Sequence, residues 1–409
     1  MTRIITLLFC LVCISLNAQK VRFEGLKRTK PSYLLKFLKW EERIPTDSIS
    51  IANGVQRIRN TRFFNEVDSR VAVQDGDTTV IFNCQEILTV LPIVEGGASE
   101  GNEWIRLGIE DENGLGKGIR TIAFYQYNNR HSYLLKQSFP LLFKQWGLGY
   151  LLKNWSILEP ISLKGDLITY NYTNWDIEIS AQYAFDINRS NLEIGLGYLN
   201  ETFELPMGEM PKMQMVKNYK RYLVKAYHHF NYLNHNTFYV QGWANKLYVL
   251  GSYFLGEKQL FGSILNETLF FKTFSSKGNL ALRGRVGISS NVNPFLAPFV
   301  MDNYYNIRGI GNRIERGTAS VTINAEYRQT VWENRLFGIQ VVGFTDIGSF
   351  RKSSERIKDM TAIQNIKLFS GIGTRLIYKK AYECDLRIDY GIGLIGEGRG
   401  FVVGLGQYF

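Results

Sequence analysis

From Thr89 onward the apolar residues of this chain recur at every second position, and that period decides what it can fold into. In Tyr382-Glu383-Cys384-Asp385-Leu386-Arg387-Ile388-Asp389-Tyr390, one strand face collects Tyr382, Cys384, Leu386, Ile388 and Tyr390. The other collects Glu383, Asp385, Arg387 and Asp389. A period of two rules out helices as the dominant element. Two architectures remain: a soluble sandwich with its apolar face inward, and a transmembrane barrel with its apolar face toward lipid.

Several features favour the barrel. No run of 18 apolar residues follows the first twenty, so no helix is expected to cross a membrane. Yet aromatics make up 14% of the chain and glycines number 38, more than a soluble domain needs. Glycines concentrate on the charged face, as at Gly391 and Gly393, and tyrosines sit at strand ends where aromatic girdles belong. Phe401, Val403, Leu405, Gln407 and Phe409 alternate with Val402, Gly404, Gly406 and Tyr408, so a strand is expected to run through Phe409. Residues 88–409 allow roughly sixteen strands at about 20 residues per strand and connection, since a tilted crossing needs only 9–11.

Residues 1–18 read as a secretory signal: Arg3, then an apolar core from Ile4 to Ile14, then Ala18 before cleavage. Cys10 and Cys13 leave with it. Cys84 and Cys384 remain, too far apart in sequence for a disulfide scaffold or a metal site. Residues 19–87 mix periods. Val21 to Gly25 alternates as a strand, and Pro31 to Leu38 and Asp47 to about Thr61 carry helical spacing. Phe63 to Val67 leads into a strand through Val73, and a Gln74-Asp75-Gly76-Asp77 turn joins it to Thr78 to Cys84. The order β-α-α-β-β, Gly25 closing the first strand and the Arg62-Phe63-Phe64 approach to the second resemble a polypeptide-transport-associated (POTRA) domain.

One arginine stands out. Asn306-Ile307-Arg308-Gly309-Ile310 lies in a segment, Ser290 to Arg316, that is too long for a hairpin connection. An arginine among glycine and apolar residues asks for a carboxylate, because each charge is costly to bury alone. Asp346, in Phe344-Thr345-Asp346-Ile347-Gly348, is the candidate partner. These motifs resemble those of the BamA/TamA-like outer-membrane insertases and two-partner secretion pores, also called bacterial surface antigen barrels. That family carries an arginine-glycine motif in its sixth extracellular loop and a Phe-x-Asp-x-Gly strand after it. Ile310 departs from it, since an aromatic usually follows the glycine. Five strands after the loop, near 317–330, 335–348, 365–379, 382–394 and 399–409, also fit a sixteen-stranded member. The resemblance implies an all-β transmembrane barrel of about 16 antiparallel strands preceded by a small α+β POTRA domain. It also implies that Arg308, Gly309, Asp346 and Glu326 tether the loop inside the lumen, and that Phe409 ends a C-terminal sorting signal.

The first and last barrel strands form a second point of interest. Pro92 removes a ladder donor, Gly96 and Gly97 end the first strand, and Gly404 and Gly406 lie in the last. A weak junction there would admit a client strand; glycines that only make room in the lumen are the other reading.

Asn113-Gly114-Leu115-Gly116-Lys117-Gly118 and Gly391 to Gly396 have glycine spacings seen in nucleotide loops, but no helix follows either. No cofactor is expected, and His131, His228, His229 and His235 form no catalytic constellation, so the chain does not read as an enzyme. The net charge of +11 is assigned to lumen and loop lysines rather than to an anionic partner. The expected partners are the lipid bilayer, unfolded outer-membrane or secreted protein clients, and periplasmic accessory proteins. The expected place is the bacterial outer membrane, with residues 19–87 in the periplasm. A passive channel or structural barrel without transport activity is the alternative.

Overall fold

A computed structural model describes residues 20–38, 40, 47–74, 77–99, 102–163, 166–205, 216–274, 277–291, 293–301, 306–310, 315–353, 355–395 and 398–409. The expected signal at 1–18 and the Asp75-Gly76 turn lie outside the described residues.

The N-terminal part is a small α/β module. It comprises β1 (Lys20–Glu24), α1 (Pro31–Leu38), α2 (Ser48–Arg59), β2 (Phe64–Gln74) and β3 (Asp77–Glu86). Asp47 caps α2 by accepting from the Ser50 amide, which satisfies one of the open donors of the first turn. The sheet order is β1-β3-β2, with β1 parallel and β2 antiparallel to the central β3, so β2 keeps a free edge. The apolar stripes of both helices, including Leu34, Phe37, Val55 and Ile58, pack on Val67, Val80 and Phe82.

Antiparallel strands follow: β4 (Val90–Ser99), β5 (Asn102–Gly114), β6 (Ile119–Tyr127), β7 (His131–Phe143), β8 (Trp146–Leu163), β9 (Asp166–Asp186), β10 (Ser190–Glu204) and β11 (Val216–Asn231). After the three-residue β12 (Asn234–Asn236) come β13 (Tyr239–Phe254), β14 (Gln259–Thr273) and β15 (Gly278–Ser289). A long connection then carries a short β-ribbon, β16 (Phe299–Met301) with β17 (Glu315–Gly317). The sheet resumes with β18 (Ala319–Glu333), β19 (Phe337–Arg351), β20 (Ile366–Tyr378), β21 (Asp385–Ile395) and β22 (Arg399–Leu405). Setting aside β12, the barrel wall has sixteen strands among the described residues. Registered ladders link each strand to the next from β4 to β22, and the order brings β22 back beside β4. That last junction has no such register among the described residues.

The two-residue period sorts side chains as the sequence implies. In β21, Asp385, Arg387 and Asp389 are buried in the lumen while Leu386, Ile388 and Ile392 are exposed on the outer wall. Ile177, Ile179, Leu196 and Val224 do the same on β9 to β11, so much of the outside is a continuous apolar surface.

Two expectations need correction. Tyr382, Glu383 and Cys384 are not strand; they form the turn before β21, with Glu383 at φ +42. The last strand stops at Leu405 instead of running through Phe409. Gly406, at φ +78, is the hinge: a left-handed backbone that glycine adopts without a Cβ clash. It turns Gln407, Tyr408 and Phe409 off the ladder and into the lumen, where Tyr408 is buried.

The module sits across one mouth of the barrel and touches five turns on that rim. At the β5–β6 turn, Lys30 donates to the Gly116 carbonyl at 2.9 Å, Asn113 Nδ2 donates to Thr29 at 2.8 Å, and Arg28 forks onto Asp111. At the next two, Lys36 donates to the Leu141 carbonyl and Arg57 faces Asp186 at 3.6 Å. At the β11–β13 turn, Gln56 donates to the His235 carbonyl and the His235 amide donates to Asn60. At the β20–β21 turn, Arg62 pairs with Glu383 and the linker residue Leu88 exchanges backbone bonds with Lys380 and Tyr382. The glycine-rich Asn113–Gly118 segment is thus a docking turn: a Cβ on Gly116 would overlap the Arg28 carbonyl.

Candidate lumenal anchor site

The connection between β15 and β18 folds back into the lumen, and its Arg308 has no exposed surface. Its backbone amide and Nε both donate to Asp346 Oδ2 at 2.9 Å, and Nη2 donates to Oδ1 at 3.0 Å. Nη1 donates to Glu326 Oε2 at 2.5 Å. Asp389 lies 3.8 Å from the same nitrogen. The ring of Phe344 covers one side at 3.7 Å and that of Tyr408 lies 4.1 Å from the guanidinium. A planar, weakly hydrated guanidinium suits this arrangement, because its rim takes carboxylates while its faces take aromatic quadrupoles.

Strand period explains why these groups meet. Asn324, Glu326 and Arg328 on β18 are two residues apart and all point inward, as do Phe344 and Asp346 on β19. The β18–β19 register sets Asn324 directly opposite Asp346, and Asn324 Nδ2 donates to both Asp346 and the Asn306 carbonyl. Gly309 takes φ +90 because its backbone rests on Gly391 of β21, where a Cβ would stand 2.7 Å from backbone atoms. Arg308, Gly309, Asp346 and Glu326 therefore occupy one place in the structure.

Further residues, not singled out from the sequence, complete the cluster. Arg328 also pairs with Glu326, and Arg375 donates to Asp389 at 2.7 Å while approaching Glu326 at 3.5 Å. Arg283 donates to Asn324 at 3.0 Å. Inward register on β15, β18 and β20 was the available signal, but alternation alone cannot say which lumenal charges converge. Elsewhere the connection is fastened by Arg285 to Asn306 at 2.6 Å and by Arg316 to Glu159 at 2.7 Å.

The seam residues sit as follows. Pro92, Gly96 and Gly97 lie on β4, in register with Ile109, Ile105 and Trp104 of β5. Gly404 lies on β22 opposite Arg387, and Gly406 is the hinge beyond it. Among the described residues no group of histidine, cysteine and acidic side chains has the arrangement of a metal site.

This strand-built barrel, with one connection drawn into its lumen, is similar in fold to solved structures of other proteins. BamA from Haemophilus ducreyi, in a structure lacking POTRA domains 1–3, matches over 95% of this chain and 84% of its own, with TM-score 0.57 and 15% identity. CdiB from Escherichia coli matches over 94% and 74%, with TM-score 0.62 and 11% identity. CdiB from Acinetobacter baumannii matches over 96% and 74%, with TM-score 0.58 and 14% identity. The shared property at these identities is the fold. No family model matches the sequence, and no curated protein matches it either.

Proposed function

We propose that this chain is an outer-membrane β-barrel that helps client proteins insert into, or pass across, that membrane. The barrel closes in the bilayer, and the N-terminal module acts as a periplasmic POTRA domain that receives the client. The observation that carries this reading is the β22–β4 junction. With only seven residues, β22 is shorter than the 9–11 that a tilted crossing uses, and it ends at a glycine hinge. On the other side, β4 has Pro92, which offers no ladder donor, and the Gly96-Gly97 pair. A client strand can add at such an edge by main-chain pairing.

The free edge of β2, with Val71 and Val73 exposed, offers a second pairing surface on the module where a client would first be held. The anchor at Arg308, Gly309, Asp346 and Glu326 keeps the loop against β18, β19 and β21, so the wall leading to the seam has a fixed backing. The seated module argues against the open passage that a passive channel needs. The similarity in fold to BamA and CdiB supports the same reading.

Liposome reconstitution tests it. Faster folding of a second, unfolded barrel protein, or its passage into the vesicle, is the expected result. Conductance with no effect on any client would overturn the reading in favour of a channel. Crosslinking β4 to β22 is expected to abolish client assistance without unfolding the barrel.

A further inference from the structure

The turned-in segment after Gly406 crosses the lumen to the opposite wall. Phe409 packs against an apolar pocket made by Leu233, Ala244, Leu269, Phe271 and Ala281 on the β11–β15 side. Tyr408 lies over Arg308, and also 5.0 Å from the guanidinium carbons of both Arg283 and Arg387. Phe409 lies 4.8 Å from that of Arg283, and Arg328 donates to the Phe409 carbonyl at 3.0 Å. Gln407 bridges Asp385 at 2.9 Å and Arg375 at 3.3 Å. An apolar pocket inside a polar lumen, rimmed by arginines, is a built receptor for two adjacent aromatic rings on an extended backbone.

Below it, between the module and the barrel mouth, lies a chamber of about 600 Å³ whose lining includes Arg62, His235, Lys246, Phe271 and Phe409. The pocket therefore faces the module's side, where the reading above has a client arrive. The segment filling it is continuous with β22, so whatever displaces Tyr408 and Phe409 also releases the end of the seam strand.

Resting on that reading, we infer that the pocket binds an extended client segment carrying two adjacent aromatic residues, and that residues 407–409 fill it in the absence of a client. Binding in trans competes with the segment in cis, and displacement frees β22 for exchange at the seam. Recognition comes from ring faces on Arg283, Arg308 and Arg387 and from a backbone carbonyl on Arg328. It differs from edge pairing, which is indifferent to ring chemistry.

The test uses the full chain in lipid nanodiscs and a labelled synthetic peptide copying residues 399–409. A second peptide has both aromatic positions at its end changed to alanine. If the segment occupies the pocket nine-tenths of the time or more, Tyr408→Ala/Phe409→Ala is expected to tighten binding of the aromatic peptide by about tenfold or more. Binding is expected to fall again when Arg328→Ala is added. In a chain that keeps both rings, a spin label at Gln407→Cys, in a background with every other cysteine replaced, is expected to gain mobility with the aromatic peptide only. Equal response to both peptides, or no response at saturation, would overturn the inference. Client folding in liposomes is measured separately, so a silent pocket in an active barrel is distinguishable from an inactive barrel.

Discussion

Arg308 grips Asp346 with both its backbone amide and its guanidinium, so one carboxylate fixes the path of the chain and the direction of the side chain together. An ordinary side-chain ion pair would leave the loop backbone free to rotate about its χ angles. Here the loop cannot turn without breaking several charge-assisted bonds.

At an effective dielectric of about 20, two charges about 4 Å apart attract by on the order of 4 kcal/mol before desolvation is set against it. Removing one partner leaves the other buried and unpaired, a loss of about 3–5 kcal/mol in comparable sites. Arg308→Ala and Asp346→Ala are each expected to destabilise the barrel in urea titrations by this order. The double variant should lose much less than the two losses combined. Additive losses would show that the two residues do not act together.

The seat of the loop depends equally on two glycines that meet backbone to backbone. Gly391→Val places carbon where the Arg308 carbonyl stands, 2.6 Å from the Cβ position. Its expected effect on protease resistance of the loop matches that of Arg308→Ala. Gly343→Ala is the control, since nothing lies within 4 Å of a Cβ there. Equal damage from both substitutions would mean that the close approach at Gly309 does not matter.

The antiparallel strands of the barrel and the Arg308–Asp346 pair were legible because each follows from a period or from an unusual charge. Alternation fixes which face a residue takes, and a buried arginine demands an acid. The helices of the module were legible from spacing. What happens after Leu405 was not: Gln407, Tyr408 and Phe409 continue the alternation without a break, and only the φ of Gly406 diverts them. Arg375 and Asp389 were equally silent, because their meeting with Glu326 depends on barrel curvature and inter-strand register. The docking role of Asn113–Gly118 needed the module's position, which no local pattern encodes.

Module docking is open to a direct substitution. Gly116 takes φ +70 and rests on the Arg28 carbonyl, so Gly116→Val combines backbone strain with overlap. The variant is expected to release the module from the β5–β6 turn and to raise single-channel conductance above that of the parent. Arg62→Ala, which removes the pair with Glu383 and the contact over Tyr382, is expected to add to the effect. Unchanged conductance in the double variant would mean that the module does not obstruct the mouth.

The same interface carries a pH dependence. His235, in the turn that meets α2, is held well below its ordinary value, at about 3, first by burial and then by the positive charges of Arg62 and Arg189. Undocking removes Arg62 and the cover of α2, so its value rises toward the usual one of about 6.5. A base whose docked value is lowered favours docking fully above the undocked value, and loses that preference as pH falls below it. Docking is therefore expected to be unchanged between pH 8 and about 7 and to weaken progressively below about 6.5. Hydrogen exchange at the α2 amides, followed across this range, reads it. His235→Gln keeps the backbone bonds to Gln56 and Asn60 and is expected to flatten the profile. A slope as steep in His235→Gln as in the parent would assign the pH response to another group.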